Sequence, residues 1–260
     1  MAEVISASDP SAVERAVTAL QNRQVIVVPT DTSYAVVADA FQTFATQRLF
    51  GAKRRGRDVP LSLLIRNPRQ VIGLAADVPE SAERLMASYW PGLVTIILQS
   101  QPDMPWDLGE TQDTVALRMP ANDLVLAIAA DVGPLACSAA NRRGHPPPLT
   151  LEDAQLHMGD AVDLYIDGGV LQPGVSTIVD CTRPTAEVLR EGRVPATAVL
   201  GVATGGVDWG QVPEPPELPG LPELPEPAEP PEPPDPADPP VRTEPTDATQ
   251  PFDHEHHEEP

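Results

Sequence analysis

The sequence predicts an α/β protein, in which a twisted mixed sheet with flanking helices is followed by a disordered C-terminal tail. Three observations lead to this prediction. Short continuous apolar runs recur along the first 211 residues, as in strands that are buried on both faces. Segments with helically spaced apolar residues lie between these runs. By contrast, 17 of the 33 prolines lie after residue 211. We therefore predict one domain at 1–211 and a separate tail at 212–260.

The tail is acidic as well as proline-rich. It contains ten Glu and four Asp against one Arg, so it carries −13 of the total net charge of −21. With few large apolar residues, such a segment cannot bury enough surface to offset the entropy lost on ordering. We therefore predict a disordered, extended tail. The sequence His254-Glu255-His256-His257 could bind a metal, although a solvated terminus is the favoured interpretation.

The helices are predicted from start signals and from the spacing of apolar residues. Ser8-Asp9-Pro10 predicts the beginning of the first helix, because a capping residue followed by proline is a common N-terminal signal. Further helices are predicted where apolar residues recur every three or four positions. These segments are Phe41–Phe50, Ser81–Tyr89, Leu124–Ala130 and one that begins at Thr150.

The strands are predicted from short runs rich in β-branched and other apolar residues. In chain order these runs are Val25–Val28, Leu61–Ile65, Leu93–Leu98, Val115–Met119, Pro134–Cys137, Val162–Ile166, Ser176–Val179 and Glu187–Leu189. Because strands and helices alternate, the helices are expected to cover the faces of the sheet.

The cysteines and the N-terminus indicate the compartment. Cys137 and Cys181 lie in apolar surroundings without metal-ligand spacing, which favours two reduced core thiols. Residues 1–13 include acidic side chains and no apolar stretch typical of a signal peptide. No segment has the apolar length needed to span a bilayer. We therefore predict a soluble cytoplasmic protein with no membrane partner.

The segment 26–65 carries the first chemical signal. An apolar run ends in Pro29-Thr30-Asp31-Thr32-Ser33-Tyr34, and Lys53-Arg54-Arg55-Gly56-Arg57 follows about twenty residues later, before the next apolar run. We interpret this order as strand, hydroxyl-rich turn, helix, cationic loop and strand. Guanidinium and ammonium groups bind phosphate oxygens, so the segment predicts a pocket for a polyanion.

Four more segments lie at the ends of predicted strands, where loops commonly hold binding groups on a rigid scaffold. One of them includes Arg118, which interrupts an apolar strand where an unpaired guanidinium would be costly. The segments are Trp90–Gly92, Leu117–Pro120, Cys137–Pro146, and Gly174–Asp180 followed by Val188–Gly192.

Taken in this order and at these separations, the five segments resemble the YrdC/TsaC family of L-threonylcarbamoyladenylate synthases. The resemblance extends over residues 10–195. It implies a YrdC-like fold with a concave, positively charged cleft, and a nucleotidyltransferase that works with Mg²⁺. The implied reaction converts L-threonine, bicarbonate and ATP to L-threonylcarbamoyladenylate and pyrophosphate. Its product serves the modification of adenosine 37 in tRNA.

The resemblance also implies which residues bind ATP. Lys53 and Arg55 match the Lys-x-Arg pair of the family, which binds the phosphates and acts in catalysis. Ser138, Asn141 and Arg190 are the further ATP-binding candidates. No residue is expected to ligate a metal directly. Transfer at the α-phosphorus depends mainly on positioning and electrostatic stabilisation, so no His or Cys nucleophile is expected.

A second group of residues is implied to bind threonine. Thr32 and Ser176 match residues that face the amino acid, and Arg118 is expected to grip its carboxylate with a planar, bidentate guanidinium. Tyr34 is expected to form a wall of the pocket. Arg57 is a further candidate for the cationic cluster.

Several positions depart from the family pattern. Ala139 stands where the family has the serine of Ser-x-Asn, although Ser138 is adjacent. Arg143-Gly144 replaces the common Ser-Gly, and the segment at Gly174 is one residue shorter. Ala35 and Val37 replace two glycines, which permit backbone conformations and close approaches that larger residues resist. These changes predict a divergent member in which activity could be lost or redirected.

Two alternatives therefore stay open beside the synthase. One is a non-catalytic nucleotide- or RNA-binding paralogue, and the other is a carbamoyltransferase that handles carbamoyladenylate. ATP, L-threonine and bicarbonate are the predicted small-molecule partners. Contact with tRNA or double-stranded RNA, and with the machinery that transfers the threonylcarbamoyl group, also follows from the resemblance.

Overall fold

A ten-stranded mixed sheet organises the protein, in a computed structural model that describes residues 2–206. The spatial order of the strands is β1-β8-β2-β3-β7-β4-β6-β5-β9-β10. Parallel and antiparallel neighbours are mixed, as predicted. In chain order the strands are β1 (Glu3–Ser6), β2 (Ile26–Pro29), β3 (Tyr34–Asp39), β4 (Ser62–Leu64), β5 (Val94–Gln99), β6 (Thr114–Arg118), β7 (Leu135–Ala139), β8 (Leu164–Asp167), β9 (Thr177–Asp180) and β10 (Glu187–Arg190).

Helices pack on both faces of this sheet. The helices are α1 (Ala12–Gln21), α2 (Thr43–Lys53), α3 (Val71–Leu74), α4 (Glu80–Tyr89), α5 (Asp123–Val132), α6 (Leu151–Met158) and α7 (Ala196–Ala203). Within the described residues, none of them is long and apolar enough to cross a membrane. The mixed sheet and its flanking helices confirm the predicted α/β class. The predicted tail at 212–260 lies outside the described residues.

The two faces of the sheet are covered unequally. On one face, α2, α4, α6 and α7 contribute buried residues to a large core cluster that includes Leu63, Ile96 and Leu117 of the strands. On the other face, α1 and α5 form a smaller cluster with residues of β2, β3, β7 and β8, among them Val28 and Val37. The second cluster does not reach β5, β6 and β9, so this part of the sheet can form the floor of a site.

The first helix begins later than predicted. Asp9 Oδ1 accepts a hydrogen bond of 2.8 Å from the backbone N–H of Ser11, and the Asp9 carbonyl accepts from Ala12. These bonds form a turn that precedes the helix, which starts at Ala12. The remaining predicted helices and strands are present, with bounds that differ by up to three residues.

The order predicted for the first motif is wrong at one point, because strand β3 lies between the hydroxyl-rich turn and α2. In the β2–β3 hairpin, Pro29 pairs with Tyr34, so residues 30–33 form a four-residue connection. The run Tyr34-Ala35-Val36-Val37, which continues the turn motif in the sequence, forms the first part of this strand. Strand β1 and helices α3 and α7 were also not predicted.

Strand β3 also corrects the expectation for the two lost glycines. Ala35 and Val37 pair regularly with Ala139 and Cys137 of β7. Neither residue has a positive φ, the conformation that favours glycine. Alanine and valine therefore fit this strand without backbone strain.

Tyr34 does not form a wall of the pocket, which corrects a second expectation. Its ring is fully buried in the core, and its hydroxyl lies 2.8 Å from Gly169 O and 3.1 Å from Asp167 Oδ1. The hydroxyl also accepts a hydrogen bond from the backbone N–H of Gly168. Burial raises the pKa of this phenol. Tyr34 thus ties β3 to the loop that follows β8.

We expect Tyr34→Phe to destabilise the protein, because it leaves the Gly168 N–H and the neighbouring acceptors without their partner. The expected loss is about 1–3 kcal/mol, or a Tm roughly 3–9 °C lower in thermal unfolding. Tyr89→Phe is the matched control, since the buried Tyr89 hydroxyl finds no hydrogen-bond partner among residues 2–206. Equal effects of the two substitutions would contradict this role of Tyr34.

Candidate active site

A cavity of about 580 Å³ lies on the part of the sheet that α1 and α5 leave open. Its walls come from the β2–β3 turn, the loop after α2, and the segment after β7. All eight residues predicted to form the site line this cavity. They are Thr32, Lys53, Arg55, Arg118, Ser138, Asn141, Ser176 and Arg190.

The floor of the cavity is built from every second residue of its strands. Successive residues of a strand point to opposite faces, so one face of β6 presents Ala116 and Arg118 to the cavity while Leu117 enters the core. Thr95 occupies the equivalent face of β5. Thr95 is not among the residues predicted to form the site. Its signal is a single hydroxyl in the apolar run 93–98.

Lys53 ends α2 and points into the segment that follows β7. Its ammonium donates to Ala139 O at 2.5 Å, to Asn141 Oδ1 at 2.9 Å, and to the backbone oxygen of Asn141. Burial, followed by the nearby charge of Arg55, lowers the pKa of Lys53 to about 8. The residue therefore fixes the 139–141 segment and adds positive charge to the cavity wall.

Arg55 is held by its own loop and by β7. Its Nε and Nη2 donate to the carbonyls of Val59 and Pro60, both at 2.8 Å. Its Nη1 donates to Ser138 Oγ at 2.8 Å. Position 139 has no hydroxyl, but the neighbouring Ser138 places one beside this guanidinium.

Arg118 forms a buried ion pair with Asp31. Arg118 Nη1 donates to Asp31 Oδ1 at 2.7 Å, while Asp31 Oδ2 accepts from the backbone N–H of Ala121 at 3.0 Å. The two side chains are 8 % and 0 % exposed. The carboxylate of Asp31 therefore offsets the cost of placing the Arg118 guanidinium in an apolar strand. Asp31 is not among the residues predicted to form the site.

The β2–β3 turn that carries Asp31 is closed by hydroxyl groups. Thr30 Oγ1 donates to Ser33 O at 2.7 Å and lies 3.0 Å from Thr32 Oγ1. Thr32 therefore reaches the cavity from a turn that is fixed both internally and through Asp31.

Arg190 lies against Ser176. Its Nη2 donates to Ser176 O at 2.8 Å and to Ser176 Oγ at 3.1 Å, and Thr95 Oγ1 donates to the same Oγ at 2.8 Å. Burial and the charge of Arg118 lower the pKa of Arg190. Arg190, predicted to bind ATP, therefore lies beside a residue predicted to bind threonine.

Arg57 does not line the cavity, which corrects its inclusion in the cationic cluster. It pairs with Asp107 on the surface, and its guanidinium carbon lies 5.1 Å from the centre of the Phe50 ring. Arg143, which stands where the family commonly has serine, does line the cavity.

The part of the cavity lining that residues 2–206 provide is cationic. These residues contribute five basic side chains and no Asp, Glu or His to it. Cys137 lines it too, but burial raises the pKa of its thiol, which keeps the thiol protonated and a poor nucleophile. Such a site can bind and orient anions rather than perform nucleophilic or imidazole-based catalysis. The basic residues are Lys53, Arg55, Arg118, Arg143 and Arg190.

Comparison with known proteins identifies relatives along most of the chain. A protein from Mycobacterium tuberculosis H37Rv, named provisionally as a threonylcarbamoyl-AMP synthase, is 40 % identical over 210 residues. The match covers 78 % of this chain and 97 % of the relative. The threonylcarbamoyl-AMP synthase of Bacillus subtilis is 34 % identical over 73 % of this chain, but the match covers only 56 % of that longer protein.

Solved structures share the fold. Pyrococcus abyssi Sua5 in complex with L-threonine has a TM-score of 0.69 and 31 % identity, covering 73 % of this chain and 56 % of Sua5. Escherichia coli YciO has a TM-score of 0.68 and 26 % identity, covering 77 % of this chain and 98 % of YciO.

The family model described as "Telomere recombination", of the Sua5, YciO and YrdC proteins, matches residues 18–192. This match covers more than half of the chain and contains every residue predicted to form the site. Together with the curated relatives, it shows that the chain belongs to the Sua5/YciO/YrdC family.

Proposed function

We propose that this protein is a threonylcarbamoyl-AMP synthase, which makes L-threonylcarbamoyladenylate and pyrophosphate from L-threonine, bicarbonate and ATP. One observation carries the proposal beyond the names of the relatives. Eight residues from six separate segments converge on one cationic cavity, to whose lining the described part of the chain contributes no carboxylate. A site that must hold a triphosphate and a carbamate together requires this distribution of charge.

The cavity has two groups of side chains that suit the two substrates. In the first group, Lys53 donates to Asn141 and Arg55 donates to Ser138. These four side chains provide charge and polar groups for the phosphates. The other group suits the carboxylate of threonine. It consists of Arg118, Ser176 and Arg190, with Thr32 at its border. This division assigns Arg190 to the amino acid rather than to ATP.

The reaction needs positioning more than proton transfer. The threonine amine and bicarbonate form a carbamate with loss of water, and a carbamate oxygen attacks the α-phosphorus of ATP while the bond to pyrophosphate breaks. Lys53 and Arg55 would neutralise the charge that develops on the leaving group. The transfer of an adenylyl group makes the proposed enzyme a nucleotidyltransferase.

Mg²⁺ is proposed to accompany ATP. Because residues 2–206 place no carboxylate in the lining, the phosphates and water are proposed to hold the ion. We further propose that the product supplies the modification of adenosine 37 in tRNA. Contact with tRNA or with the transfer machinery is part of this proposal and rests on the family resemblance.

The deciding experiment incubates the purified protein with ATP, Mg²⁺, bicarbonate and L-threonine, and measures pyrophosphate and the adenylate product. Product that depends on threonine supports the proposal. Product formed only with another acceptor would indicate redirected activity, such as carbamoyl transfer. ATP binding without turnover would indicate a non-catalytic nucleotide-binding protein.

We expect Lys53→Ala and Arg55→Ala each to reduce ATP turnover by about 100- to 1,000-fold, since each removes a positive charge from the proposed leaving-group site. Because the pKa of Lys53 is lowered to about 8, its charge is lost as the pH rises through that value. ATP affinity should therefore weaken above pH 8. Arg57→Ala, outside the cavity, is the control, and an equal loss in that variant would argue against a local role.

We expect Arg118→Lys to raise the KM for threonine by about 10- to 100-fold with little change in the KM for ATP. Lysine keeps the charge and can pair with Asp31 but lacks the planar fork that binds a carboxylate with two hydrogen bonds. Arg48→Lys is the matched control, because Arg48 also pairs with an aspartate, Asp163, outside the cavity lining. An unchanged threonine dependence would make Arg118 a structural residue.

We expect Ser138→Ala to weaken ATP binding by about 2- to 12-fold, the effect of one hydrogen bond, because the Ser138 hydroxyl accepts from Arg55. Ala139→Ser should be nearly neutral, since this contact is already made. Both variants are compared by ATP titration. The reverse ranking would show that the hydroxyl is needed at position 139 and that this chain is impaired there.

A further inference from the structure

We propose that Thr95 is a positioning residue that acts with Arg190 to fix the hydroxyl of Ser176 as a hydrogen-bond donor to the carboxylate of the amino-acid substrate. The inference rests on the proposed function, because it assumes that threonine binds at this end of the cavity. It goes further in two ways. It gives Thr95 a role, and it specifies which chemical group of the substrate can lie next to Ser176.

The inference starts from the hydrogen-bonding capacity of a hydroxyl group. A serine hydroxyl can donate one hydrogen bond and accept two. Ser176 Oγ accepts one bond from Thr95 Oγ1 at 2.8 Å and a second from Arg190 Nη2 at 3.1 Å. Both acceptor positions are therefore filled, and only the hydrogen of Ser176 is left to form a further bond.

No acceptor within residues 2–206 takes that hydrogen, whereas Ser176 lines the cavity. A ligand that contacts Ser176 must then present an acceptor oxygen rather than an ammonium group. Arg118 is close enough for its charge to lower the pKa of Arg190. Two guanidinium groups and one donated hydroxyl together suit a carboxylate.

The backbone around Ser176 is held tightly enough to maintain this orientation. A Cβ atom at Gly192 would lie 2.3 Å from Val175 O and 2.5 Å from Ser176 C, so only glycine allows the segment after β10 to approach this closely. The Gly192 N–H also donates to Thr177 Oγ1 at 2.9 Å. This packing keeps Arg190 beside Ser176.

Thr95 itself is 5 % exposed, in a strand whose other residues from Val94 to Leu98 are aliphatic. Valine has nearly the same shape and would suit such a strand, and a hydroxyl there is tolerated only when it is hydrogen-bonded. The bond to Ser176 satisfies it. If the amino acid is bound through its carboxylate at this end, its amine is left to face the nucleotide, where the carbamate must form.

The test compares Thr95→Val, which removes the donor with little change of shape, with Thr95→Ser, which keeps the hydroxyl. Threonine affinity is measured by calorimetry, and the KM values for threonine and ATP by steady-state kinetics. We expect Thr95→Val to weaken threonine binding by about 3- to 10-fold and to leave the KM for ATP within about twofold, with recovery in Thr95→Ser.

Thr46→Val is the matched control, because Thr46 is a fully buried threonine whose hydroxyl donates within α2 and lies away from the cavity. It should leave both KM values unchanged. In a Ser176→Ala background, Thr95→Val should have no further effect on threonine, because Thr95 acts through that hydroxyl.

Unchanged threonine affinity in a folded Thr95→Val variant would overturn the inference, as would an equal rise in both KM values. If Thr95→Val does not fold, Ser176→Ala replaces it, and unaltered threonine affinity in that variant has the same meaning. Failure of the proposed function is separate: it appears as wild-type protein that binds threonine but makes no adenylate. Wild-type protein that does not bind threonine would overturn both.

Discussion

The cavity depends on one buried interaction, the ion pair between Asp31 and Arg118. Removing a single partner of such a pair typically costs about 3–5 kcal/mol, because the remaining charge stays buried without compensation. Asp31 also accepts from the Ala121 backbone, so the pair joins the β2–β3 turn to the end of β6 and to the approach to α5. Thr32 and Arg118 are thereby held at fixed positions in the same cavity.

The second constraint is the unequal coverage of the sheet. Ten strands are too wide for α1 and α5 to cover on one face, so β5, β6 and β9 present alternate residues to solvent. At these positions Thr95, Arg118 and Ser176 are polar, whereas Ile96 and Leu117 on the opposite face enter the core. The period of two in a β-strand thus separates residues for binding from residues for stability.

The sequence allowed the fold class and the eight proposed site residues to be predicted, because both depend on local patterns. Strand β3 was missed because it follows the Thr30–Ser33 turn without a break and reads as its continuation. The partners of the site residues could not be predicted, since Asp31 meets Arg118 across 87 positions and Thr95 meets Ser176 across 81. Such contacts depend on the order of the strands in the sheet, which the pattern within any one strand does not determine.

The binding of a polyanion by a chain with a net charge of −21 requires a local explanation. At physiological ionic strength, charges separated by more than about 8 Å of solvent are largely screened from each other. Within residues 2–206, a phosphate inside the cavity therefore responds mainly to the basic residues that line it, and exposed acids elsewhere on this part of the chain contribute little. Two of the basic residues have acidic partners, Asp31 for Arg118 and Asp58 for Arg143, so the net positive charge of the lining comes mainly from Lys53, Arg55 and Arg190. The overall acidity of the chain and the cationic character of its cavity are for this reason compatible.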